Sequence, residues 1–105
     1  MKIYIGADHR GFKLKEKLRE WLTDTDQDIA DMGAYEQIPE DDYTLYAEKV
    51  GSMVREDKHA RGILLCGSGV GVDVAANKLD GVRASIGMSP KQVEAGRRDD
   101  DMNIL

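Results

Sequence analysis

The front half of the chain combines two short apolar runs with two longer segments in which apolar residues recur every three or four positions. Residues 2–6 and, more weakly, residues 27–33 are the short runs, and their length predicts β-strands. Residues 10–24 predict a helix, and a second helix follows an acidic loop at residues 35–42. The apolar helix positions are Leu14, Leu18, Trp21 and Leu22, then Tyr43, Tyr46, Val50, Met53 and Val54.

The back half continues the same alternation. Residues 62–66 and 82–86 are apolar enough for buried strands, and the alanine-rich residues 70–79 between them predict a short helix. The chain is thus expected to contain four strands that alternate with helices.

A last helix and the start of a fifth strand complete the pattern. Ser89 followed by Pro90 is a helix-start signature, because a hydroxyl caps the helix and proline suits the first helical position. We expect this helix to end near Arg97 or Arg98, and residues 102–105 to begin the fifth strand.

Strict alternation of strands and helices predicts a parallel sheet that is covered on both faces and joined by right-handed crossovers. The expected fold class is α/β: a Rossmann-like three-layer sandwich in one domain, residues 1–105, truncated after the start of the fifth strand. In such sheets ligands bind beyond the carboxyl ends of the strands, where the loop after the first strand diverges from a neighbouring loop.

Composition and charge exclude several classes of protein. With 41% apolar residues and no apolar run of about 18, the chain is expected to be soluble and globular, without a membrane partner. Fifteen basic and 20 acidic residues give a net charge of −5, which argues against a nucleic-acid partner. The start does not resemble a signal peptide, and one cysteine cannot form an internal disulfide, so the cytoplasm is the expected location.

Two loops follow predicted strands and open predicted helices: GADHRG, residues 6–11, and CGSGVG, residues 66–71. Glycines in the second loop allow a tight turn, and the helix amino end that follows favours an anion or a developing negative charge. The spacing matches neither the dinucleotide fingerprint nor a phosphate-binding loop with its lysine. No nucleotide cofactor is indicated, and the single cysteine supplies no metal-ligand cluster.

Four residues in these loops have both a structural and a functional interpretation. Cys66 is either a buried packing residue or a thiol that acts as a base or nucleophile at a helix amino end. Asp8 is either a helix cap or a functional residue, and His9 is either a loop residue or a functional one. Ser68 is a turn residue or a hydroxyl that binds a polar ligand.

Four separated motifs occur in an order and spacing typical of one enzyme family. They are GADHRGFKLK at residues 6–15, DDYTLYA at 41–47, GILLCGSGVGVDVAANK at 62–78 and GVRA at 81–84. Together they resemble the ribose-5-phosphate isomerase B family and its galactose-6-phosphate isomerase relatives, over nearly the whole chain. The resemblance implies an aldose–ketose isomerase for phosphorylated sugars, foremost ribose 5-phosphate to ribulose 5-phosphate, that works through an enediolate without metal or organic cofactor.

The resemblance also implies a role for each matching residue. Cys66 matches the thiolate base of the family, and Ser68 matches a hydroxyl that assists ring opening. The backbone expected to form the anion hole for the enediolate belongs to Gly67, Gly69, Val70 and Gly71. The expected substrate-binding side chains are Asp8, His9 and Tyr43.

The chain departs from the family pattern at RRDDDMN, residues 97–103. Family members commonly have a histidine and an asparagine where this chain has Asp99 and Asp100, and that histidine is credited with opening the furanose ring. We assign Asp99 to the catalytic position and Asp100 to substrate binding, although ionised aspartates are poor acids at neutral pH and repel a sugar phosphate. Family chains also continue into further helices with phosphate-binding arginines, so the chain corresponds to their front two thirds.

Other functions stay open beside the isomerase. Asp99 and Asp100 favour a non-catalytic sugar-phosphate-binding or assembly subunit of a paired isomerase, and a hexose 6-phosphate is an alternative substrate. Asp8 and Asp31 near strand ends are also compatible with an unrelated small-ligand or phosphoacceptor module. The small apolar residues of the 70–79 segment suit packing against a second copy, so a homodimer or higher homo-oligomer is expected.

Overall fold

The computed structural model describes all 105 residues as alternating strands and helices. The strands are β1 (Lys2–Ala7), β2 (Asp28–Asp31) and β3 (Arg61–Leu65), and the helices are α1 (Phe12–Asp24), α2 (Tyr43–Glu56), α3 (Val70–Asn77) and α4 (Pro90–Asp100). The first three predicted strands and all four predicted helices are confirmed. None of the helices is both long and apolar enough to cross a lipid bilayer.

The three strands form a parallel sheet in the order β2-β1-β3. Helix α1 packs against β1 and β2, whereas α2 packs against β1, β3 and α3. Because β2 and β3 lie on opposite sides of β1, right-handed crossovers place α1 and α2 on opposite faces of the sheet. The predicted Rossmann-like α/β architecture is therefore confirmed.

The prediction of a regular fourth strand over residues 82–86 is wrong. Only Ala84 forms a bridge, to Ile104. The side chain of Asn77 explains why no ladder continues outward: its Oδ1 accepts from the N–H of Ala84 at 2.8 Å, and its Nδ2 donates to the Ala84 carbonyl at 3.0 Å. A side chain thus occupies both backbone groups that a neighbouring strand would use.

The fifth predicted strand is present only as a short extension of the sheet. The N–H of Gly62 donates to the Asn103 carbonyl at 2.9 Å, the N–H of Leu105 donates to the Gly62 carbonyl at 2.9 Å, and the N–H of Leu64 donates to the Leu105 carbonyl at 2.8 Å. Ile104 therefore runs parallel to β3 and bridges it to Ala84. The pairing involves too few residues to form a named strand.

Two helix boundaries differ from the sequence prediction. Helix α1 begins at Phe12 rather than Arg10, because Asp8 closes a turn over the residues before it. Helix α4 continues past Arg98 to Asp100. At its start, Ser89 accepts a hydrogen bond from the N–H of Gln92, and proline occupies the first helical turn, as predicted.

The main core fills the space between β3, α2, α3 and the segments around residues 82 and 104. Its buried members are Ala47, Val50, Val54, Leu64, Val72, Ala76, Val82 and Ile104. On α1 the fully buried side chain is a charged one, since Nζ of Lys15 lies 2.7 Å from Asp31 and 2.8 Å from Glu16. These carboxylates compensate for the burial of the ammonium group.

Candidate active site

The loops after β1 and β3 leave the sheet side by side at its carboxyl edge. Ala7 and Leu65 are paired neighbours, so the residues that follow them, Asp8 and Cys66, begin adjacent loops. The N–H of Asp8 also donates to the Leu65 carbonyl at 3.3 Å. The connection after β1 leads to β2, whereas the connection after β3 leads to Ala84 on the opposite side of the sheet, so the loops diverge here, at the place predicted for a ligand.

Cys66 is half-buried and lies just before the amino end of α3. Its Sγ atom accepts a 3.2 Å hydrogen bond from the N–H of Gly69. Gly69 has a φ of 80°, a left-handed conformation that favours glycine. The sulfur atom therefore lies at a helix amino end, next to a backbone hydrogen-bond donor.

The turn between Cys66 and α3 presents backbone donors that have no partner. The N–H groups of Gly67, Ser68 and Gly71 make no hydrogen bond within the chain, whereas the N–H of Val70 donates to Oγ of Ser68 at 3.2 Å. Orphan N–H groups at a helix amino end are suited to an anion. This backbone has the donors that an anion hole for an enediolate requires.

The β1 loop holds Asp8, which is buried with 4% of its surface exposed. Its Oδ1 accepts hydrogen bonds from the N–H groups of Arg10 at 2.9 Å and Gly11 at 3.0 Å. Both interpretations of this residue therefore apply at once: one oxygen closes the turn before α1, and Oδ2 makes no hydrogen bond within the chain. That second oxygen is the one available to a substrate hydroxyl.

His9 is held by an aspartate that lies 32 residues further along the chain. Oδ1 of Asp41 lies 2.8 Å from Nδ1 of His9 and also accepts from the His9 backbone N–H at 2.8 Å. Since an ionised carboxylate is only an acceptor, Nδ1 carries a proton and Nε2 is left for a substrate. The amide of Gln37 donates to the His9 carbonyl at 2.9 Å and fixes the same loop.

The carboxyl of Asp41 is kept ionised by its hydrogen bonds. Burial acts to raise its pKa, but the two bonds from His9 and the 3.1 Å bond from the Tyr46 hydroxyl outweigh burial and hold the pKa below its ordinary value. Burial, together with this bond to Asp41, raises the pKa of Tyr46. Asp41 thus stays a hydrogen-bond acceptor for His9 at neutral pH.

Tyr43 belongs to the same edge of the sheet as the two loops. Its ring lies against the backbone of Gly71 in the first turn of α3, where a Cβ atom would approach Cε2 of the ring to 2.9 Å. Tyr43 is the first residue of α2, which Asp42 caps by accepting a hydrogen bond from the N–H of Thr44 at 2.9 Å. The structure therefore brings Tyr43 next to the turn that contains Cys66.

Within one chain, Asp99 and Asp100 lie near the amino ends of the strands, at the edge of the sheet opposite Cys66. They end α4 just before Asn103, whose carbonyl pairs with Gly62 near the start of β3. Cys66 follows the end of β3, four residues and roughly 13 Å further along the strand direction. Asp99 is exposed and forms an ion pair with Arg98 at 2.9 Å. Their assigned roles stay predictions, because one chain does not bring them to the thiol.

The only group of side chains with a spacing suited to a metal ion is formed by Asp8, His9 and Asp41, whose ligand atoms lie within 4.8 Å of one another. One oxygen of Asp8 already binds two backbone N–H groups, and Asp41 already binds His9 and Tyr46. These hydrogen bonds hold the β1 loop in place, which explains why the three side chains lie close together.

An open cleft of about 910 Å³ lies on the side of the Cys66 turn that faces residues 85–90. Residues 66–69 form one wall, and Ile86, Val93 and Leu105 contribute to the apolar walls opposite. Asp8, His9 and Arg10 do not line the cleft. The Cys66 turn therefore borders both the cleft and the β1 loop.

Two residues that shape the site, Asp41 and Arg10, are not recognisable as site residues from the local sequence. Asp41 lies in the motif DDYTLYA, but its pairing with His9 depends on the path of the loop between β2 and α2. The apolar pattern predicts Arg10 to be the first residue of a helix, but its guanidinium lies against Gly67 in the Cys66 turn. One feature of the sequence does point to Arg10: it is the only Lys or Arg in either strand-end loop.

Comparison with known proteins gives a consistent result for the whole chain. A family model described as Ribose/Galactose Isomerase matches residues 3–105. The probable ribose-5-phosphate isomerase B of Mycoplasma pneumoniae is 38% identical over 103 residues, which cover 98% of this chain and 68% of that protein. The ribose-5-phosphate isomerase B of Escherichia coli is 36% identical over 104 residues, which cover 99% of this chain and 69% of that protein.

Solved structures agree with the sequence matches. The ribose-5-phosphate isomerase B of Mycoplasma genitalium, solved with bound ribulose-5-phosphate, superposes with a TM-score of 0.93 at 37% identity and covers 99% of this chain and 69% of its own. The corresponding enzyme of Thermotoga maritima gives a TM-score of 0.93 at 38% identity, with 99% of this chain and 71% of its own covered. The chain thus spans about two thirds of the length of these relatives.

Proposed function

The chain belongs to the ribose/galactose isomerase family and is an aldose–ketose isomerase of the ribose-5-phosphate type, and we propose that Cys66 is the base of its reaction. The observation that carries this proposal is the position of Sγ, which accepts the N–H of Gly69 beside the unpaired N–H groups of Gly67, Ser68 and Gly71. A base and an anion hole in one turn are what proton transfer next to a carbonyl requires.

The proton transfer follows from this arrangement. The Cys66 thiolate removes the proton from C2 of the open-chain aldose, and the electron pair of that C–H bond moves to form a C1–C2 double bond. Charge then develops on the C1 oxygen, where the backbone N–H groups stabilise it. The thiol returns the proton to C1, while the hydroxyl proton on the C2 oxygen passes to the C1 oxygen, which leaves a ketone at C2.

The β1 loop is proposed to bind and orient the sugar. Oδ2 of Asp8 is available to accept a hydroxyl, and Nε2 of His9 is available on a ring whose orientation Asp41 fixes. The ring of Tyr43 provides a wall beside Gly71. These contacts hold the reacting carbons in place. The chemical step then has a smaller entropic barrier, because the substrate is already positioned.

Ring opening is assigned to Ser68, with Asp99 as the catalytic counterpart of the family histidine and Asp100 as a substrate-binding residue. Ser68 fits this proposal, because its Oγ accepts from Val70 and its own proton is left to donate. Asp99 and Asp100 lie at the opposite edge of the sheet, so they would have to reach a substrate from a second copy of the chain.

A homodimer is also proposed, with α3 in the interface. Val70 and Val74 are each 51% exposed on this short helix, and Tyr43 and Leu45 add exposed apolar surface at the start of α2. Exposed apolar faces of this kind favour association. Sedimentation at about 50 µM is expected to show a dimer; a monomer alone would contradict this assignment. A cytoplasmic location is proposed as well, in agreement with the single free cysteine.

The isomerase proposal is tested by following ketose formation from ribose 5-phosphate, in parallel with a hexose 6-phosphate. Turnover of ribose 5-phosphate with the higher kcat/KM is the expected result. Preference for the hexose phosphate would reassign the substrate. Absence of turnover with either sugar, together with retained sugar-phosphate binding, would favour a non-catalytic subunit of a paired isomerase.

A further inference from the structure

The carboxyl edge of the sheet is rich in acidic side chains and has a single arginine. The residues that follow the strands, and those that follow Ala84, contain no Lys or Arg except Arg10. The same stretches, at 6–11, 33–42, 66–69 and 85–89, contain the acidic residues Asp8, Glu36, Glu40, Asp41 and Asp42. A dianionic sugar phosphate that approaches this edge needs a cation to offset their repulsion.

The guanidinium of Arg10 is held against the Cys66 turn. A Cβ atom on Gly67 would overlap Cζ, Nε and Nη1 of Arg10, so the guanidinium rests on the glycine backbone. The backbone N–H of Arg10 donates to Asp8, which fixes the start of the side chain as well. The side chain is thus placed beside the proposed anion hole by both loops.

No acidic side chain of the protein neutralises this guanidinium. None of the salt bridges of the chain includes Arg10, and its side chain makes no hydrogen bond within the chain. By contrast, Arg19, Arg55, Arg97 and Arg98 each pair with a carboxylate. The donors of Arg10 are free for an external anion, and a guanidinium suits two phosphate oxygens at once.

The charge of Arg10 suits the phosphate, because the phosphate is the only group of the sugar phosphate that is ionised before the reaction begins. The guanidinium of Arg10 lies against Gly67, and the backbone of Arg10 belongs to the β1 loop that also carries His9, so the side chain bridges that loop and the Cys66 turn. In ribose 5-phosphate the phosphate is at C5, at the far end from the C1 and C2 atoms that Cys66 must reach. We infer that Arg10 binds the phosphate group of the sugar phosphate, an assignment that rests on the proposed function of the site.

The direct test is binding of inorganic phosphate to the full chain, measured by calorimetry without turnover. Arg10→Ala is expected to weaken phosphate binding about 10- to 100-fold, because charge-assisted hydrogen bonds are lost. The phosphate Kd of Arg10→Lys should lie between those of the wild type and Arg10→Ala, because lysine keeps the charge but lacks the paired donors of the guanidinium. Lys17→Ala removes the same charge from an exposed position on α1 and should leave binding unchanged. No measurable binding to the wild type, or equal binding by all four proteins, would overturn the inference.

Kinetics with ribose 5-phosphate separate this role from one at the reacting carbons. Arg10→Ala is expected to raise KM by the same factor as the phosphate Kd and to change kcat much less. A fall in kcat with an unchanged phosphate Kd would overturn the inference and place Arg10 at the enediolate. A wild type that binds phosphate through Arg10 but does not isomerise would contradict the proposed function and leave this inference standing.

Discussion

The Nδ1 atom of His9 lies 2.8 Å from Oδ1 of Asp41, and this contact ties the loop after β1 to the loop before α2. The same carboxylate accepts the backbone N–H of His9 and the hydroxyl of Tyr46. One acidic side chain therefore fixes both the orientation of the histidine and the loop on which it lies. The position of His9 in the site depends on a residue that is distant in sequence.

Asp41→Asn is expected to change how stability depends on pH. The pKa of Asp41 lies below its ordinary value of 3.8 in the folded chain, so its stabilising effect is fully present above that value and is lost as pH falls through the lower, folded value. The wild type should exceed the variant in free energy of unfolding above about pH 4, and the difference should shrink toward about pH 2. Urea denaturation of both proteins at a series of pH values measures this difference in free energy of unfolding.

Glu48→Gln is the matched control for this experiment, because Glu48 is exposed on α2 and forms no salt bridge. Its free energy of unfolding should stay within about 0.5 kcal/mol of the wild type. A difference between Asp41→Asn and the wild type that is the same at every pH would contradict the assignment of the carboxylate as ionised and hydrogen-bonded.

Ser68→Ala is expected to impair turnover of cyclic sugar more than turnover of an open-chain substrate. The hydroxyl oxygen accepts from Val70, and its proton is proposed to assist opening of the furanose ring. Stopped-flow assays that begin from the cyclic sugar phosphate and from an open-chain analogue measure the two rates. Equal losses with both substrates would remove Ser68 from ring opening.

Gly67→Ala and Gly69→Ala are expected to affect different properties. At Gly67 the φ angle is not in the left-handed region, but the new Cβ would displace the Arg10 guanidinium, so phosphate binding should weaken as in Arg10→Ala with little change in stability. At Gly69 the Cβ has room, with Ile86 at 3.9 Å, but the φ of 80° should cost about 1 to 2 kcal/mol of stability. Calorimetry and urea denaturation of both variants distinguish these effects, and the reverse pattern would contradict both assignments.

Much of the fold was predictable from local pattern. The apolar run that ends at Leu65, the glycine turn after it and the alanine-rich helix specify strand, turn and helix without help from distant residues. The same holds for Ser89, whose cap on α4 is confirmed. The juxtaposition of the two strand-end loops followed from the general rule for parallel α/β sheets.

The features that could not be predicted depend on contacts between distant residues. The expected strand at 82–86 has suitable residues, but it pairs only through the bridge from Ala84 to Ile104, and the side chain of Asn77 takes the outward-facing groups of Ala84. Lys15 has the sequence pattern of a solvated charge, yet it is fully buried, because Asp31 on β2 lies within 2.7 Å. Arg10 likewise acquires its position from a glycine that lies 57 residues away.

Lys15→Ala is expected to lower the free energy of unfolding by about 2 to 5 kcal/mol, because it removes buried methylene groups and leaves Asp31 without its closest cation. The exposed variant Lys17→Ala should change it by no more than about 0.5 kcal/mol. Urea denaturation of the two variants measures the contrast. Equal stability of both variants would show that the buried ion pair contributes nothing net.

The most direct test of the account is turnover of ribose 5-phosphate by Cys66→Ala beside the wild type. The substitution removes the proposed base but leaves the backbone donors and Arg10, so the rate of isomerisation should fall by about 10²- to 10⁴-fold. The Kd for inorganic phosphate should stay unchanged, which shows that the site remains folded. Near-normal turnover by Cys66→Ala would contradict the account, because the thiol would then be a packing residue and the base would lie elsewhere.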